Sequence, residues 1–343
     1  MLRKSLLALL GLYVLVAGVW VVASGFTRHE QLLNVACDPT RELWRDVNKA
    51  FVESHERQTG VKIGIRQSHG GSGSQARAVM DGLPADVVTL ALWTDTDAIR
   101  KAGLIDADWE TKFPNRSLPY ISTIVFVVRK GNPKRILDWP DIARPNVGVI
   151  TPDPKTSGNG KWSFLAMWGS VVTRGGSEKD AEEFVAKVYR QVPVLGAAAR
   201  EATITFAKHE IGDVHLTWEN EAFLEVQESN GELEIVHPPV SVRAEPHVAL
   251  VDRVVDAKGS RDTAEAYLNF LYTLEAQRII AKHHHRPNNV SWLRRRIEPE
   301  LNRFPKIDLF PATVCGPDWD AIHKRFFGEG GVFDRICADR RGK

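Results

Sequence analysis

The sequence predicts an α/β fold of two lobes, each a mostly parallel sheet flanked by helices, and three observations carry that reading. Short apolar runs alternate with longer helical patterns along most of the chain, which indicates strands joined by crossover helices. The 343 residues are 43% hydrophobic and 26% charged, a composition that packs cores and does not stay disordered. Two breaks, Arg129-Lys130-Gly131-Asn132-Pro133 and His237-Pro238-Pro239, are plausible crossing points where the chain leaves one lobe and later returns. A cleft between two such lobes is able to close over a ligand. The expected division is 29–123 with 241–343 as lobe I and 124–240 as lobe II.

The elements follow in order. Arg3 and Lys4 precede an apolar run from Ser5 to Phe26, the pattern of an export signal. Residues 1–26 read as a signal peptide, removed near Gly25 at the small residues Ala23-Ser24-Gly25, or as an uncleaved membrane anchor. Either way the body of the chain is expected outside the cytoplasm, in the periplasm once the family below is considered. Strands are expected at 32–37, 61–65, 87–92, 124–128, 147–150, 192–195, 215–218, 233–236 and 248–251. Helices are expected from Pro39 through Phe51, from Gln75 to Met80, and as one amphipathic segment from Asp262 to Lys282. His283-His284-His285 then closes that helix; three consecutive helical residues point in different directions, so they do not converge on a metal. Trp292 to Arg296 is a basic turn, either a solvated face or a partner contact.

Removing residues 1–25 takes away Arg3 and Lys4, so the formal net charge falls from +2 to zero. A neutral body has no broad attraction for nucleic acid or anionic lipid. Any anion must then be held by local donors. Of the three cysteines, Cys315 and Cys337 are close enough in sequence to pair, which leaves Cys37 in a strand.

The strand-to-helix junctions carry the chemistry. They are Asp38-Pro39-Thr40, Ser68-His69-Gly70-Gly71-Ser72-Gly73-Ser74, Thr156-Ser157-Gly158-Asn159-Gly160, and Ala197-Ala198-Ala199 leading into Arg200. Small residues there leave backbone N–H groups uncovered. The first N–H groups of a helix lack intrahelical partners and favour anions. Junctions of this kind lie at one end of a parallel sheet, so several converging ones make an anion cage without a buried lysine or arginine. Asp38 is expected to cap its own helix, with proline at the first helical position.

Rival motifs fit less well. Gly158-Asn159-Gly160-Lys161 continues into Trp162, not the Ser or Thr of a nucleotide loop. Gly70-Gly71-Ser72-Gly73-Ser74, with His69 adjacent, nearly matches a nucleophile elbow, but its last position is Ser. A serine hydrolase using Ser72 is therefore the remote alternative, and esterase or sulfatase activity lost in Ser72→Ala would reveal it.

Many of these segments match one family. Leu32-Leu33-Asn34-Val35 with Asp38-Pro39-Thr40-Arg41-Glu42-Leu43 resembles the mature start of the bacterial sulfate- and thiosulfate-binding proteins. So do Gln67-Ser68-His69-Gly70-Gly71-Ser72-Gly73, Ala85-Asp86-Val87-Val88-Thr89, Lys155-Thr156-Ser157-Gly158, Gly212-Asp213-Val214 and Trp218-Glu219-Asn220-Glu221-Ala222. The resemblance runs to about Gly330-Gly331. It implies a type II periplasmic binding-protein fold with the ligand in the cleft, a monomer without cofactor or metal, and an ABC permease in the inner membrane as partner. It implies no enzyme activity.

Carried over residue by residue, the resemblance makes Asp38, Ser72, Gly158 and Ala199 backbone donors to sulfate. Ser157 gives its hydroxyl and Trp218 its indole N–H, while Arg200 supports the loop without touching the anion. Asn159 stands where the family usually has glycine, and keeps its backbone donor. Gly-Asn after the serine also occurs among thiosulfate binders, whereas Trp218 is more like the sulfate branch. Sulfate is the expected ligand and thiosulfate the alternative.

Overall fold

A computed structural model describes residues 30–287 and 304–341; the expectations for 1–26 and for 292–296 lie outside the described residues. The strands are β1 Glu30–Cys37, β2 Ile63–Gly70, β3 Val87–Thr89, β4 Tyr120–Ile121, β5 Ile124–Arg129, β6 Val149–Pro152 and β7 Leu195–Gly196. They continue with β8 Val214–Trp218, β9 Leu233–Val236, β10 Val240–Val242, β11 Val248–Leu250, β12 Arg286–Pro287 and β13 Asp308–Phe310. Two sheets dominate, ordered β11-β3-β1-β2 and β7-β6-β8-β5-β9.

Each sheet is parallel except for one strand. β11 runs against β3, and β5 runs against both β8 and β9. The reversal follows from where the chain crosses. Ile124, the first residue of β5, pairs with Trp218, the last of β8, and Val248 opposes Thr89 at the end of β3. Both reversed strands thus begin at the edge where the parallel strands finish. The crossing segments are clamped together: Ser122 and Ala244 exchange backbone hydrogen bonds of 3.0 and 2.9 Å, and the Thr123 hydroxyl donates to Val242 O at 2.8 Å.

Several local expectations change: the strand expected over 87–92 ends at Thr89, and the helix expected from Pro39 through Phe51 is Arg41–Thr59. β2 runs on through Ser68, His69 and Gly70, because these residues pair with Val35, Ala36 and Cys37 of β1; ladder pairing overrides a glycine-rich composition. The helix expected over 262–282 is two helices, Arg261–Phe270 and Leu274–Lys282, since Thr273 accepts the amide of Ala276 at 3.3 Å and starts a new one. In 192–195, only Leu195 enters the strand Leu195–Gly196.

Part of the C-terminal segment packs against helices of the second sheet. Its Phe326 and Phe333 pack with Phe164, Trp168 and Tyr189 from the helices Gly158–Val172 and Glu178–Arg190, in the core that also holds β5 and β8. Gly169 makes one such contact. A Cβ there would sit 2.1 Å from a ring carbon of Phe310. Gly169→Ala is expected to destabilise by about 1–3 kcal/mol despite alanine's better helix propensity, read as a lower thermal midpoint.

Candidate ligand-binding site

One turn and three helices begin around a single cavity between the two sheets. Asp38 opens the turn Asp38–Thr40, and Ser72, Gly158 and Ala199 are the first residues of the helices Ser72–Met80, Gly158–Val172 and Ala199–Thr203. First-position amides have no intrahelical acceptor. All four residues line this small cavity, together with Ser157, Asn159 and Trp218. The structure thus brings together all seven residues expected to touch the ligand. Cys37, Pro39, Gly70, Gly71 and Ala91 complete the wall.

The side chains are set for donation. Ser157 caps its helix by accepting from Gly160 N at 3.4 Å, which leaves its O–H to donate elsewhere. Trp218 is 3% exposed, and its indole Nε1 has no acceptor among the described residues. A buried donor without a partner costs roughly 1–3 kcal/mol, so its presence beside a cavity points to an occupant that accepts. Asn159 turns its side chain back, donating to Leu216 O and accepting from Ser163 Oγ, both at 3.3 Å.

Asp38 is a correction. It does not cap its own helix; Cys37 occupies the cap position, and the Asp38 carboxylate is held by Arg41 at 2.6 Å. The i,i+3 guanidinium outcompetes the backbone amides for that carboxylate. Arg200 lies outside the cavity wall, paired with Glu42 at 2.8 Å and with the buried Glu221 at 3.0 Å. Burial pushes the Glu221 carboxyl up to about 8 even with Arg200 beside it. Burial likewise pushes the Cys37 thiol up to about 12, so the cysteine in the wall stays neutral. Asp38 is the one carboxylate in the wall, and no Lys or Arg lines it among the described residues.

The two sheets' elements touch around this cavity. A Cβ on Gly71 would lie 2.7 Å from Thr156 O, and one on Gly158 would lie 2.4 Å from the Ala91 Cβ. Trp162 Nε1 donates across to Ala91 O at 2.8 Å, and Asn220 Nδ2 to Pro39 O at 2.9 Å. Lys161 reaches Asp95 at 3.0 Å, with both side chains almost fully buried. Lys161→Met would strand the Asp95 charge, a loss of roughly 3–5 kcal/mol when one partner of a buried pair is removed. Opening the cleft relieves that penalty. The variant is therefore expected to show a larger radius of gyration by solution scattering, and adding Asp95→Asn to it is expected to restore compactness.

The rival readings meet specific contacts. His69 engages Cys37 O at 3.3 Å and Gln67 Oε1 at 2.6 Å, while Ser72 Oγ accepts from Ala91 N at 2.9 Å. Serine and imidazole therefore spend their polar atoms elsewhere than on each other. His283 bonds Asp46 at 2.9 Å, His284 stacks on Phe223, and His285 is buried against Tyr120. The three rings go to different neighbours, and no metal-binding cluster occurs among the described residues. Cys315 is a free thiol with its sulfur 3.7 Å from Leu165 O, so it is not paired with Cys337. None of the helices among the described residues is long and apolar enough to cross a membrane.

Pro39, Gly70 and Gly71 lie in junctions read from the sequence but were not assigned to the ligand, and Cys37 and Ala91 were missed as wall residues. Adjacency to Asp38 was the available signal for Cys37; Ala91 carried none. Larger cavities of about 310 to 690 Å³ lie elsewhere on the molecule, but the small one gathers the amides at Asp38, Ser72, Gly158 and Ala199.

Comparison with known proteins places the chain. Residues 33–286 match the family model described as bacterial extracellular solute-binding protein. The chain is 48% identical to a thiosulfate-binding protein of Pseudomonas aeruginosa over 90% of its own length and 92% of the relative's. It is 47% identical to a sulfate-binding protein of Escherichia coli (strain K12) over 95% of its length and 97% of the relative's. Among solved structures, the sulfate-binding protein SubI from Mycobacterium tuberculosis H37Rv superposes with a TM-score of 0.78 at 30% identity, covering 87% of this chain and all of that one.

Proposed function

The chain belongs to the bacterial extracellular solute-binding proteins, among the sulfate- and thiosulfate-binding proteins, and from that premise we propose that it captures sulfate in the cavity at Trp218 and delivers it to an ABC permease. The observation that carries the reading is the buried, unpartnered Trp218 indole N–H beside the four backbone starts at Asp38, Ser72, Gly158 and Ala199. The protein acts as an exported monomer in the periplasm and catalyses nothing. The lobes divide at 123/124 and 240/241, with part of the C-terminal segment packed against helices of the second.

The energetics are adequate without a counter-ion. Burying an unpaired dianion costs tens of kcal/mol in an idealised estimate, but the effective penalty after relaxation of the protein falls to several kcal/mol per charge. Hydrogen bonds to a charged group return roughly 1.5–3 kcal/mol each, so about six or seven give roughly 10–20 kcal/mol. Micromolar affinity requires a surplus of only about 8 kcal/mol. The Arg200–Glu42–Glu221 cluster adds rigidity outside the anion's reach.

Selectivity follows from the same inventory. Sulfate only accepts hydrogen bonds. Hydrogen phosphate carries a proton that needs an acceptor, and the one carboxylate in the wall, Asp38, has its Oδ1 held by both Arg41 contacts. Pressing that proton against donors costs several kcal/mol. Thiosulfate, which also only accepts, is the second reading, favoured by the relative from Pseudomonas aeruginosa and by Asn159. Calorimetric titration at neutral pH tests all three: tight one-to-one binding of sulfate with phosphate silent is expected. A tighter thiosulfate curve moves the ligand to the second reading, and phosphate binding refutes the all-donor cavity.

A further inference from the structure

A second cavity, of about 610 Å³, opens between first-lobe residues and the C-terminal segment. Two partly buried indoles, Trp93 and Trp319, contribute to its walls. Trp319 also packs edge-on against Trp162, with ring centroids 5.3 Å apart. None of the residues assigned to the anion lies in this cavity.

The polar lining is lopsided. Glu110, Glu245, Asp318 and Asp320 bring four carboxylates. Arg116 pairs with Glu110, Arg243 with Glu245 at 3.0 Å, and Lys101 with Asp320 at 2.7 Å. Asp318 accepts the amide of Ala321 at 2.8 Å, and no ion pair to its carboxylate occurs among the described residues. The lining therefore keeps an excess of negative charge. His247 supplies an independent sign of an absent partner: it is 4% exposed, and its Nδ1 has no hydrogen-bond partner among the described residues. Burial pushes its pKa down to about 4, so the ring is neutral and Nδ1 accepts whenever Nε2 carries the proton.

The rim is also strained. Asn115, Arg116 and Ser117 have φ of 54°, 59° and 58°, three successive left-handed residues without a glycine. Such backbone persists only where its surroundings over-determine it, and it collects at functional sites. The Ser117 hydroxyl, donating to Trp109 O at 2.7 Å, helps to hold it.

We propose that this cavity is a second ligand site, which takes a small organic cation with its ammonium toward Glu245 and Asp318 and its apolar body against Trp93 or Trp319. Indole faces attract cations, and an ammonium meets carboxylates and an accepting imidazole without leaving a donor unpaired. A carboxylate ligand meets excess like charge, and a neutral apolar one leaves the charge uncompensated.

The probe is benzylammonium, titrated calorimetrically into the exported protein with sulfate in excess, beside benzyl alcohol and benzoate. One saturable site is expected for benzylammonium alone. Asp318→Asn keeps a capping side chain and Glu245→Gln keeps the shape, yet each is expected to weaken the amine by about tenfold or more. Sulfate titrations of both variants are expected to match the wild type, which separates this site from the anion cavity. No saturable benzylammonium binding, equal binding of benzyl alcohol or benzoate, or unchanged affinity in both variants would overturn the proposal.

Discussion

Trp218→Phe weakens sulfate binding by roughly 10- to 150-fold, the equivalent of one hydrogen bond of about 1.5–3 kcal/mol to a charged acceptor. Phenylalanine keeps much of the ring's packing against Trp162, whose centroid lies 6.5 Å away, so the loss isolates the N–H. Free protein is expected to be as stable as wild type or slightly more so. The indole N–H is unsatisfied there, and replacing a buried orphan donor by carbon removes a penalty. Titration calorimetry and thermal unfolding of the ligand-free protein separate the two effects. An unchanged affinity would remove Trp218 from the site.

Gly158→Val is expected to lose more, at least two orders of magnitude in sulfate affinity. Its Cβ would fall 2.4 Å from the Ala91 Cβ and 3.3 Å from that of Ser72. Those atoms sit next to backbone and have no rotamer to change, so the clash is relieved only by separating the second lobe's helix from the first lobe. Separation moves the Ser157 and Gly158 donors away from those of Ser72 and Asp38, and hydrogen bonds fail steeply with distance and angle. Since the residue is the first of its helix, the helix itself tolerates the change. Solution scattering is expected to show that sulfate no longer compacts the variant, while its unfolding midpoint without sulfate stays near the wild type.

Much of this site could be read from the chain. Helix starts announce themselves through small residues after an apolar run, and the junctions at Ser72, Gly158 and Ala199 fall where that pattern puts them. Trp218 was different. A tryptophan ending an apolar strand reads as core, and only the family resemblance singled it out; its orphan N–H is visible in three dimensions alone. Other features depend on partners remote in sequence. Ser68 to Gly70 are strand because β1 lies beside them, and Phe326 and Phe333 join the second core because Phe164 and Tyr189 await them there. The Asp38–Arg41 pair is local, yet spacing alone does not say whether a carboxylate turns to a backbone amide or to a guanidinium.

The most direct test of the central claim is a crystal structure of the protein grown with selenate, a tetrahedral dianion whose selenium scatters anomalously. The account predicts one strong selenium peak enclosed by Ser72, Ser157, Ala199 and Trp218, with an oxygen within hydrogen-bonding distance of the Trp218 indole nitrogen. A peak elsewhere, or an occupied cavity in which the Trp218 N–H points away from the anion, would contradict it.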